Sequence, residues 1–217
     1  MDNITRRDAG LPYISDEKVM EQQKETRKLI QQLNSADQSD FEEIGRIANE
    51  LVRGSKKNLA IVPPFYCDYG FHIEVGDNFF ANYNCTILDV GKVKIGSNVL
   101  FAPNVSIYTA GHPVHSDARN TMYEYGIPVE IGDNVWIGGN VVICPGVHIG
   151  KNAVIGAGSV VTKDIQENVI AAGNPCKVIR QITDEDKQYY YKDKKFDEEA
   201  WKVVQGENKD EQGRSVL

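Results

Sequence analysis

Hydrophobic side chains follow a six-residue period over much of the chain. Neither the helical period of 3.6 residues nor the strand period of 2 produces this spacing alone. Such a repeat predicts short strands separated by turns, stacked into a solenoid around one continuous core. The aliphatic positions in phase are Ile131, Ile137, Ile143, Ile149, Ile155 and Val161. Four residues after each stands a small or β-branched residue: Val135, Val141, Val147, Ala153, Ser159 and Ile165.

The same period occurs earlier in the chain, with one irregularity and one interruption. It runs through Val75, Ala81 and Ile87, slips by two residues in "LDVGKVK", and resumes through Ile95, Phe101 and Ile107. The next in-phase residue is Pro113, which cannot donate a hydrogen bond to a strand ladder. Residues 108–128 are therefore predicted to leave the solenoid as a loop, which carries "AGHPVH".

The segments on either side of the repeats have other patterns. Residues 1–57 are predicted to be helical, with Val19, Met20, Leu29, Ile30 and Leu33 near helical intervals. "SDFEEIGRIANELVRG" predicts a second helix, with Ser39 and Glu42 as a capping box, a stripe of Phe41, Ile44, Ile47, Ala48 and Leu51, and a stop at Gly54. Residues 58–182 form the predicted solenoid. Residues 183–217 predict a short helix and a polar tail whose last ten or so residues are disordered.

Composition narrows the possible partners. The 217 residues carry a net charge of -7 with no basic block, which disfavours nucleic acid. No apolar run is long enough to span a membrane, and no export signal opens the sequence, so a cytoplasmic location is expected. Four cysteines without a CxxC pair are expected to be buried, reduced thiols.

Three motifs together point to a family. The six-residue repeats, the "AGHPVH" loop and the closing "GAGSVVTKDI…AAGNPCKVIR" resemble the hexapeptide-repeat acyltransferases, in particular the galactoside and maltose O-acetyltransferases. The resemblance implies a mainly β fold: a left-handed parallel β-helix shaped as a triangular prism, with a helical N-terminal segment and a protruding loop. It also implies a homotrimer with active sites between subunits, acetyl-CoA as co-substrate, a sugar hydroxyl as acceptor and no required metal.

The resemblance assigns the catalytic roles. His112 is the expected general base, since an imidazole can take the proton of an alcohol near neutral pH. Glu124 in "EYGIP" is a further candidate, for orienting the His112 ring by bonding to its other nitrogen, and the alternative is a solvated loop acid. Asn82 is expected to hold the acceptor and stabilise the transition state.

Further residues are implied for binding. Asp16, Asp68 and Asp89 are the acceptor-site candidates, because carboxylates accept hydrogen bonds from sugar hydroxyls. Basic side chains near the closing motifs suit an anionic cofactor. The residues expected to bind acetyl-CoA are Trp136, Gly139, Ala157, Thr162, Lys163, Lys177 and Arg180.

Other functions stay open at this point. Val90 after Asp89 resembles the maltose type, whereas "GHPVH" resembles the galactoside type, so the acceptor sugar is not fixed. The acceptor could instead be a xenobiotic, serine or a nucleotide sugar. A gamma-class zinc carbonic anhydrase is a remote alternative, since the four histidines lack that family's ligand spacing. A non-catalytic trimeric scaffold is disfavoured by His112 and the complete closing motifs.

Overall fold

The computed structural model describes residues 1–54 and 56–206. Contacts between residues divide the chain into two units, Met1–Arg180 and a second that begins at Gln181. The first unit contains three N-terminal helices: α1 (Asn3–Asp8), α2 (Glu17–Ser35) and α3 (Phe41–Leu51). It also contains the predicted solenoid.

The predicted start of α3 is wrong by one residue. The helix begins at Phe41, and the Asp40 carboxylate accepts from the N–H of Glu43 at 3.0 Å. Ser39 instead bonds to the side chain of Asp37, so it is not available as a cap. Phe41 is 81% exposed, while the rest of the predicted stripe is buried. The helix ends at Leu51, and Gly54 belongs to the first strand that follows.

Three sheets of mostly parallel strands form the sides of the solenoid, named here face 1, face 2 and face 3 in the order in which the chain visits them. Face 1 contains Arg53–Gly54, Ile73–Val75, Val93–Ile95, Val129–Ile131 and His148–Ile149. Face 2 contains Ala60–Ile61, Phe80–Ala81, Leu100–Phe101, Trp136–Ile137, Val154–Ile155, Val169–Ala172 and Lys177–Gln181. Face 3 contains Phe65–Cys67, Cys85–Leu88, Ser106–Tyr108, Val142–Ile143 and Val160–Val161. This is the predicted left-handed β-helix.

The in-phase aliphatics form the core, as predicted. On face 2, Ala81, Phe101, Ile137 and Ile155 follow one another in register, and each is at most 1% exposed. Each fully buried Ile or Phe side chain contributes roughly 1.5–3 kcal/mol by leaving water. The core therefore repeats the same contact from coil to coil.

Asparagines form the turns at the edge between faces 1 and 2. Their φ angles of 55° to 60° are left-handed, a conformation that asparagine tolerates better than most residues. Each except the last, Asn168, donates its side-chain amide to the asparagine of the next coil at 2.7–3.0 Å. The ladder contains Asn58, Asn78, Asn98, Asn134, Asn152 and Asn168.

The predicted loop leaves the solenoid after Tyr108 and returns at Val129. Its base is a ribbon in which Ala110–Gly111 pairs antiparallel with Tyr125–Gly126. A short helix, α4 (Ser116–Arg119), lies near its tip. The loop therefore has its own hydrogen-bonded frame.

The second unit contains a 3-10 helix (Asp184–Gln188), two antiparallel strands (Tyr189–Tyr191 and Lys194–Lys195) and α5 (Glu198–Gln205). The predicted short helix is α5. The predicted polar tail at residues 207–217 lies outside the described residues. Within the described ranges, no helix is both long and apolar enough to cross a membrane.

Candidate active site

His112 lies directly after the ribbon strand Ala110–Gly111, on the solvent-exposed part of the loop. Its Nδ1 is 3.3 Å from the backbone carbonyl oxygen of Tyr123. A carbonyl oxygen can only accept, so this contact requires the proton on Nδ1. Nε2 then carries the lone pair, which is the form in which an imidazole can act as a base.

The orienting contact differs from the expected one. The Glu124 carboxylate was expected to bond to one of the two ring nitrogens, whereas the contact observed is that of Nδ1 with the neighbouring Tyr123 carbonyl. The reason is strand geometry: the backbone of Glu124 turns away from His112 and pairs with Tyr13, with N···O distances of 2.9 and 3.0 Å. Burial raises the pKa values of Tyr13 and Asp68, and the nearby Glu124 carboxylate adds to both increases.

Two predicted acceptor residues lie at the edge between faces 3 and 1, where the loop also begins and ends. Burial, together with the nearby Glu124 carboxylate, raises the pKa of Asp68 to about 6. Asp89 has no exposed surface, and its Oδ1 accepts from the N–H groups of Asp68 and Tyr69 at 2.8 and 2.9 Å. Burial raises the pKa of Asp89 to about 6 as well. Asp89 therefore fixes the backbone beside Asp68 rather than facing solvent.

Asp16 is the N-cap of α2. Its carboxylate accepts from the N–H of Val19 at 3.1 Å and from the Asn3 amide at 2.9 Å. These bonds lower its pKa, with the Asn3 bond the largest cause. Asp16 thus has a local role in the described chain: it ends the N-terminal arm, residues 1–16, and caps the start of α2.

Some of the residues expected to bind acetyl-CoA lie in or just after the strands of face 2. Trp136 points outward from that face and is 54% exposed. Asn82, Gly139 and Ala157 each come just after a face 2 strand, at the edge between faces 2 and 3. The Asn82 side-chain oxygen accepts from the N–H of Tyr83 at 2.8 Å. A Cβ on Gly139 would lie 3.3 Å from the Pro103 carbonyl, so this turn is closely packed.

The rest of the expected cofactor set lies elsewhere. Thr162 and Lys163 follow the last strand of face 3 and are exposed at the edge between faces 3 and 1. Lys177 and Arg180 are exposed in the last strand of face 2. The positive side chains are accessible, as binding of an anionic molecule requires.

One chain therefore divides the predicted residues between two edges. His112, Asp68 and Glu124 belong to the edge between faces 3 and 1, whereas Asn82 belongs to the edge between faces 2 and 3. Face 3 separates these edges, and its four-residue strand Cys85–Leu88 alone spans about 13 Å at roughly 3.3 Å per residue.

The loop base contains residues that the sequence analysis did not assign. The Thr109 hydroxyl, fully buried, donates to the Leu88 carbonyl at 2.6 Å and accepts from the N–H of Gly91 at 2.8 Å. A Cβ on Gly126 would lie 2.4 Å from the Gly91 nitrogen, so two glycines allow the ribbon to contact the solenoid. The two-residue slip in "LDVGKVK" was the sequence signal for this contact.

The histidines and acids do not form a metal site in the part of the chain that the structure describes. No group of three or more His, Cys, Asp or Glu residues there is arranged to hold a metal ion. His115 caps α4 by accepting from the N–H of Asp117, and His148 points outward from face 1. All four cysteines are free.

Comparison with known proteins adds to this geometry. The family described as bacterial transferase hexapeptide (six repeats) matches residues 128–163. A galactoside O-acetyltransferase of Escherichia coli is 50% identical over 171 residues, covering 79% of this chain and 84% of that protein.

Two solved structures are similar over most of the chain. A maltose O-acetyltransferase from Clostridium difficile 630 has a TM-score of 0.81 at 47% identity, covering 85% of this chain and 99% of the other. A galactoside acetyltransferase in complex with coenzyme A has a TM-score of 0.84 at 45% identity, covering 91% and 99%. With this fold, loop and extent of identity, the chain belongs to the galactoside and maltose O-acetyltransferase family of hexapeptide-repeat acyltransferases.

Proposed function

We propose that the protein transfers the acetyl group of acetyl-CoA to a sugar hydroxyl, with His112 as the general base. The observation that carries the proposal is the Nδ1 contact with the Tyr123 carbonyl, because it leaves Nε2 free to accept a proton. The named activities of the similar proteins support the reaction class.

The proposed step conserves atoms and charge. Nε2 removes the hydroxyl proton as the sugar oxygen attacks the thioester carbonyl, and the C–S bond breaks when the tetrahedral intermediate collapses. The imidazolium then returns the proton to the departing thiolate. While His112 is charged, the Tyr123 carbonyl accepts a stronger hydrogen bond from Nδ1. General-base assistance of this kind is worth about 10²–10⁴-fold in rate.

Acetyl-CoA supplies the activated acyl group in the proposed reaction. We propose that the exposed Trp136 and the close-packed turn at Gly139 line the pantetheine path. Lys163, Lys177 and Arg180 are proposed to bind the phosphates, because ammonium and guanidinium groups suit them. Ala157 and Thr162 complete the proposed surface.

The outward side of face 2 is the basis for the proposed oligomer. Its outward row is apolar along the solenoid: Ala60, Phe80, Leu100, Trp136, Val154 and Ile170. Leu100 is 49% and Trp136 54% exposed in the single chain. The outward row of face 1 instead alternates charge, through Arg53, Glu74, Lys94 and Glu130. We propose that face 2 packs against another subunit in a homotrimer.

A trimer packed through face 2 would explain why the predicted site residues of one chain lie on two different edges. Packing of neighbouring subunits would bring Asn82 of one chain toward His112 of the next. Asp68 and Glu124 are proposed to bind the acceptor beside His112, with Asp89 behind them. Asp16 stays a candidate for binding the acceptor. The cytoplasmic location stays a prediction.

Complementation between inactive variants tests both the base and the shared site. His112→Ala and Asn82→Ala are each expected to be nearly inactive alone. Co-expressed, they should form mixed trimers in which about a quarter of the sites pair an intact His112 with an intact Asn82. Recovery of roughly that fraction of the wild-type rate is expected. No recovery, in mixtures shown to contain both chains in one trimer, would contradict the shared site.

The acceptor is tested separately. Galactosides, maltose, glucose, serine, nucleotide sugars and xenobiotic amines or alcohols are compared by CoA release. The proposal expects a sugar to have the highest kcat/KM. A preference for a non-sugar acceptor of 100-fold or more, about 2.7 kcal/mol in transition-state binding, would replace the sugar assignment.

A further inference from the structure

The N-terminal arm, residues 1–16, pairs with the His112 ribbon at one residue, Tyr13. Tyr13 and Glu124 make a two-bond antiparallel bridge on the side of the returning strand opposite Gly111. Tyr125 pairs with Gly111 on the other side. Successive residues of a strand direct their backbone groups to opposite sides, so fixing Glu124 toward Tyr13 turns the Tyr123 carbonyl toward His112.

The bridge is attached to the solenoid through a separate hydrophobic core. This second core consists of Tyr13, Val19, Tyr69 and Val90, with Ile4, Phe71 and Ala110 packed against it. Tyr13 has no exposed surface. The residues come from the arm, α2, the first two complete coils and the loop base. Movement of Tyr13 is therefore restricted by packing as well as by hydrogen bonds.

The arm has further contacts, both within itself and with the solenoid. The Asn3 side-chain oxygen accepts from the N–H of Ile14 at 3.1 Å, and the Asn3 amide donates to Asp16 at 2.9 Å. The Arg7 guanidinium lies 4.4 Å above the ring of Tyr69. These contacts lie on both sides of Tyr13 in the sequence, so they define where the bridge forms.

We propose that Tyr13 is a positioning residue, whose backbone bridge to Glu124 aims the Tyr123 carbonyl at Nδ1 and thereby selects the His112 tautomer with a free Nε2. The inference rests on the proposed role of His112. Its mechanism is indirect: Tyr13 does not contact the reacting atoms. When the carbonyl is not aimed at Nδ1, the imidazole also populates the Nε2–H tautomer, which cannot accept the sugar proton.

The test compares three substitutions at one position. Tyr13→Pro removes the backbone N–H and the phenol ring, whereas Tyr13→Ala removes the ring and keeps the N–H. Tyr13→Phe keeps both the ring and the bridge. The measurements are the ¹⁵N chemical shifts of the His112 ring nitrogens, assigned with His112→Ala, and kcat and KM of the full-length enzyme.

The inference expects Tyr13→Phe to match the wild-type tautomer and kcat. Tyr13→Pro should show a mixed tautomer population and a kcat at least about tenfold below that of Tyr13→Ala, with the KM for acetyl-CoA within about twofold. An unchanged Nδ1–H tautomer in folded Tyr13→Pro would overturn the inference. Equal tautomer populations in Tyr13→Pro and Tyr13→Ala would also overturn the role of the backbone bridge.

A second variant keeps the test decisive if Tyr13→Pro does not fold. Asn3→Ala removes the bonds to Ile14 and Asp16 without changing the backbone at residue 13, and should shift the tautomer population in the same direction by a smaller amount. A wild-type tautomer in Asn3→Ala would then overturn the inference. Full activity of His112→Ala would overturn the proposed function instead, and the tautomer measurement would still report on the arm.

Discussion

The solenoid and the His112 loop achieve order in different ways. The solenoid repeats one set of contacts, aliphatics inside and asparagines along an edge, so each coil supports the next. The loop depends on single contacts of mixed kinds: a glycine pair, the buried Thr109 hydroxyl and the four-residue second core. The repeated part supplies a rigid support, and the irregular part positions the chemical groups. Substitutions in the solenoid core should therefore lower mainly stability, and substitutions in the loop and its supports should lower mainly catalysis.

The largest expected effect comes from the loop. His112→Ala should lower kcat by about 10²–10⁴-fold, because the attacking hydroxyl loses its base, while the KM for acetyl-CoA stays within about twofold. Steady-state kinetics measures both. His115→Ala, three residues away on the same exposed loop, is the matched control and should stay within about twofold of wild type. Similar losses in both variants would indicate general damage to the loop.

The next prediction compares one substitution in the solenoid core with one in the second core. Ile137→Ala removes a side chain from the centre of the solenoid and should cost about 2–5 kcal/mol in the free energy of unfolding. Val90→Ala, in the second core, should cost about 1–2 kcal/mol. Denaturant unfolding at equal protein concentration measures these costs.

Activity should show the opposite order. Per folded molecule, Val90→Ala should lower kcat more than Ile137→Ala does, since Val90 packs in the core that anchors the loop. A larger kcat loss in Ile137→Ala would show that the solenoid core, not the second core, determines the geometry of His112.

A pH-dependent difference is expected at Asp89. Its folded pKa of about 6 lies above its ordinary value of 3.8, so the folded state binds the proton more tightly than the unfolded state. Asp89 therefore lowers the free energy of unfolding as pH rises from about 4 to 6, and this loss persists at higher pH. Asp89→Asn removes that contribution, on the order of 1–3 kcal/mol, and keeps a side-chain oxygen for the two N–H donors.

Unfolding measured at pH 4.5 and 7.5 tests this sign. Between pH 4.5 and pH 7.5, the free energy of unfolding of Asp89→Asn should rise relative to that of the wild type. Part of the decrease with pH should remain in the variant, because Asp68 also has a raised pKa. A relative loss at pH 7.5 would mean that the charged carboxylate stabilises the fold.

The smallest expected effect concerns the asparagine ladder. Asn98→Ala and Asn98→Gly both remove the side-chain bonds to Asn78 and Asn134. Only alanine is strained at a φ of 58°, so Asn98→Ala should be less stable by about 1–2 kcal/mol. Thermal and denaturant unfolding measure the difference. Equal stability would show that the ladder bonds, and not the turn conformation, explain the asparagines.

The solenoid was predictable from the sequence because it repeats. Twelve in-phase positions from Val75 to Val161 are all buried, including those on either side of the slip and the loop. The periodicity did not give the handedness, which came from the family resemblance. The start of α3 was missed because Ser39 and Asp40 are both common caps, and only their three-dimensional partners distinguish them.

The loop was less predictable because its contacts are not periodic. The interrupting "AGHPVH" motif pointed to His112, but the acceptor at its Nδ1 is a backbone carbonyl, which has no side-chain signature. Tyr13 lies more than 100 residues from Glu124, and no spacing rule connects them. Asn82 and His112 lie on different edges of the solenoid, and the six-residue pattern does not predict how two chains would bring them together.

The most direct test of the account is a crystal structure with coenzyme A and a sugar acceptor bound together. The account predicts the reacting hydroxyl about 2.6–3.2 Å from Nε2 of His112, with Nδ1 still at the Tyr123 carbonyl. The thioester position should lie beside the same hydroxyl. A complex in which another side chain makes the hydrogen bond to that hydroxyl, with His112 directed away in every subunit, would contradict it.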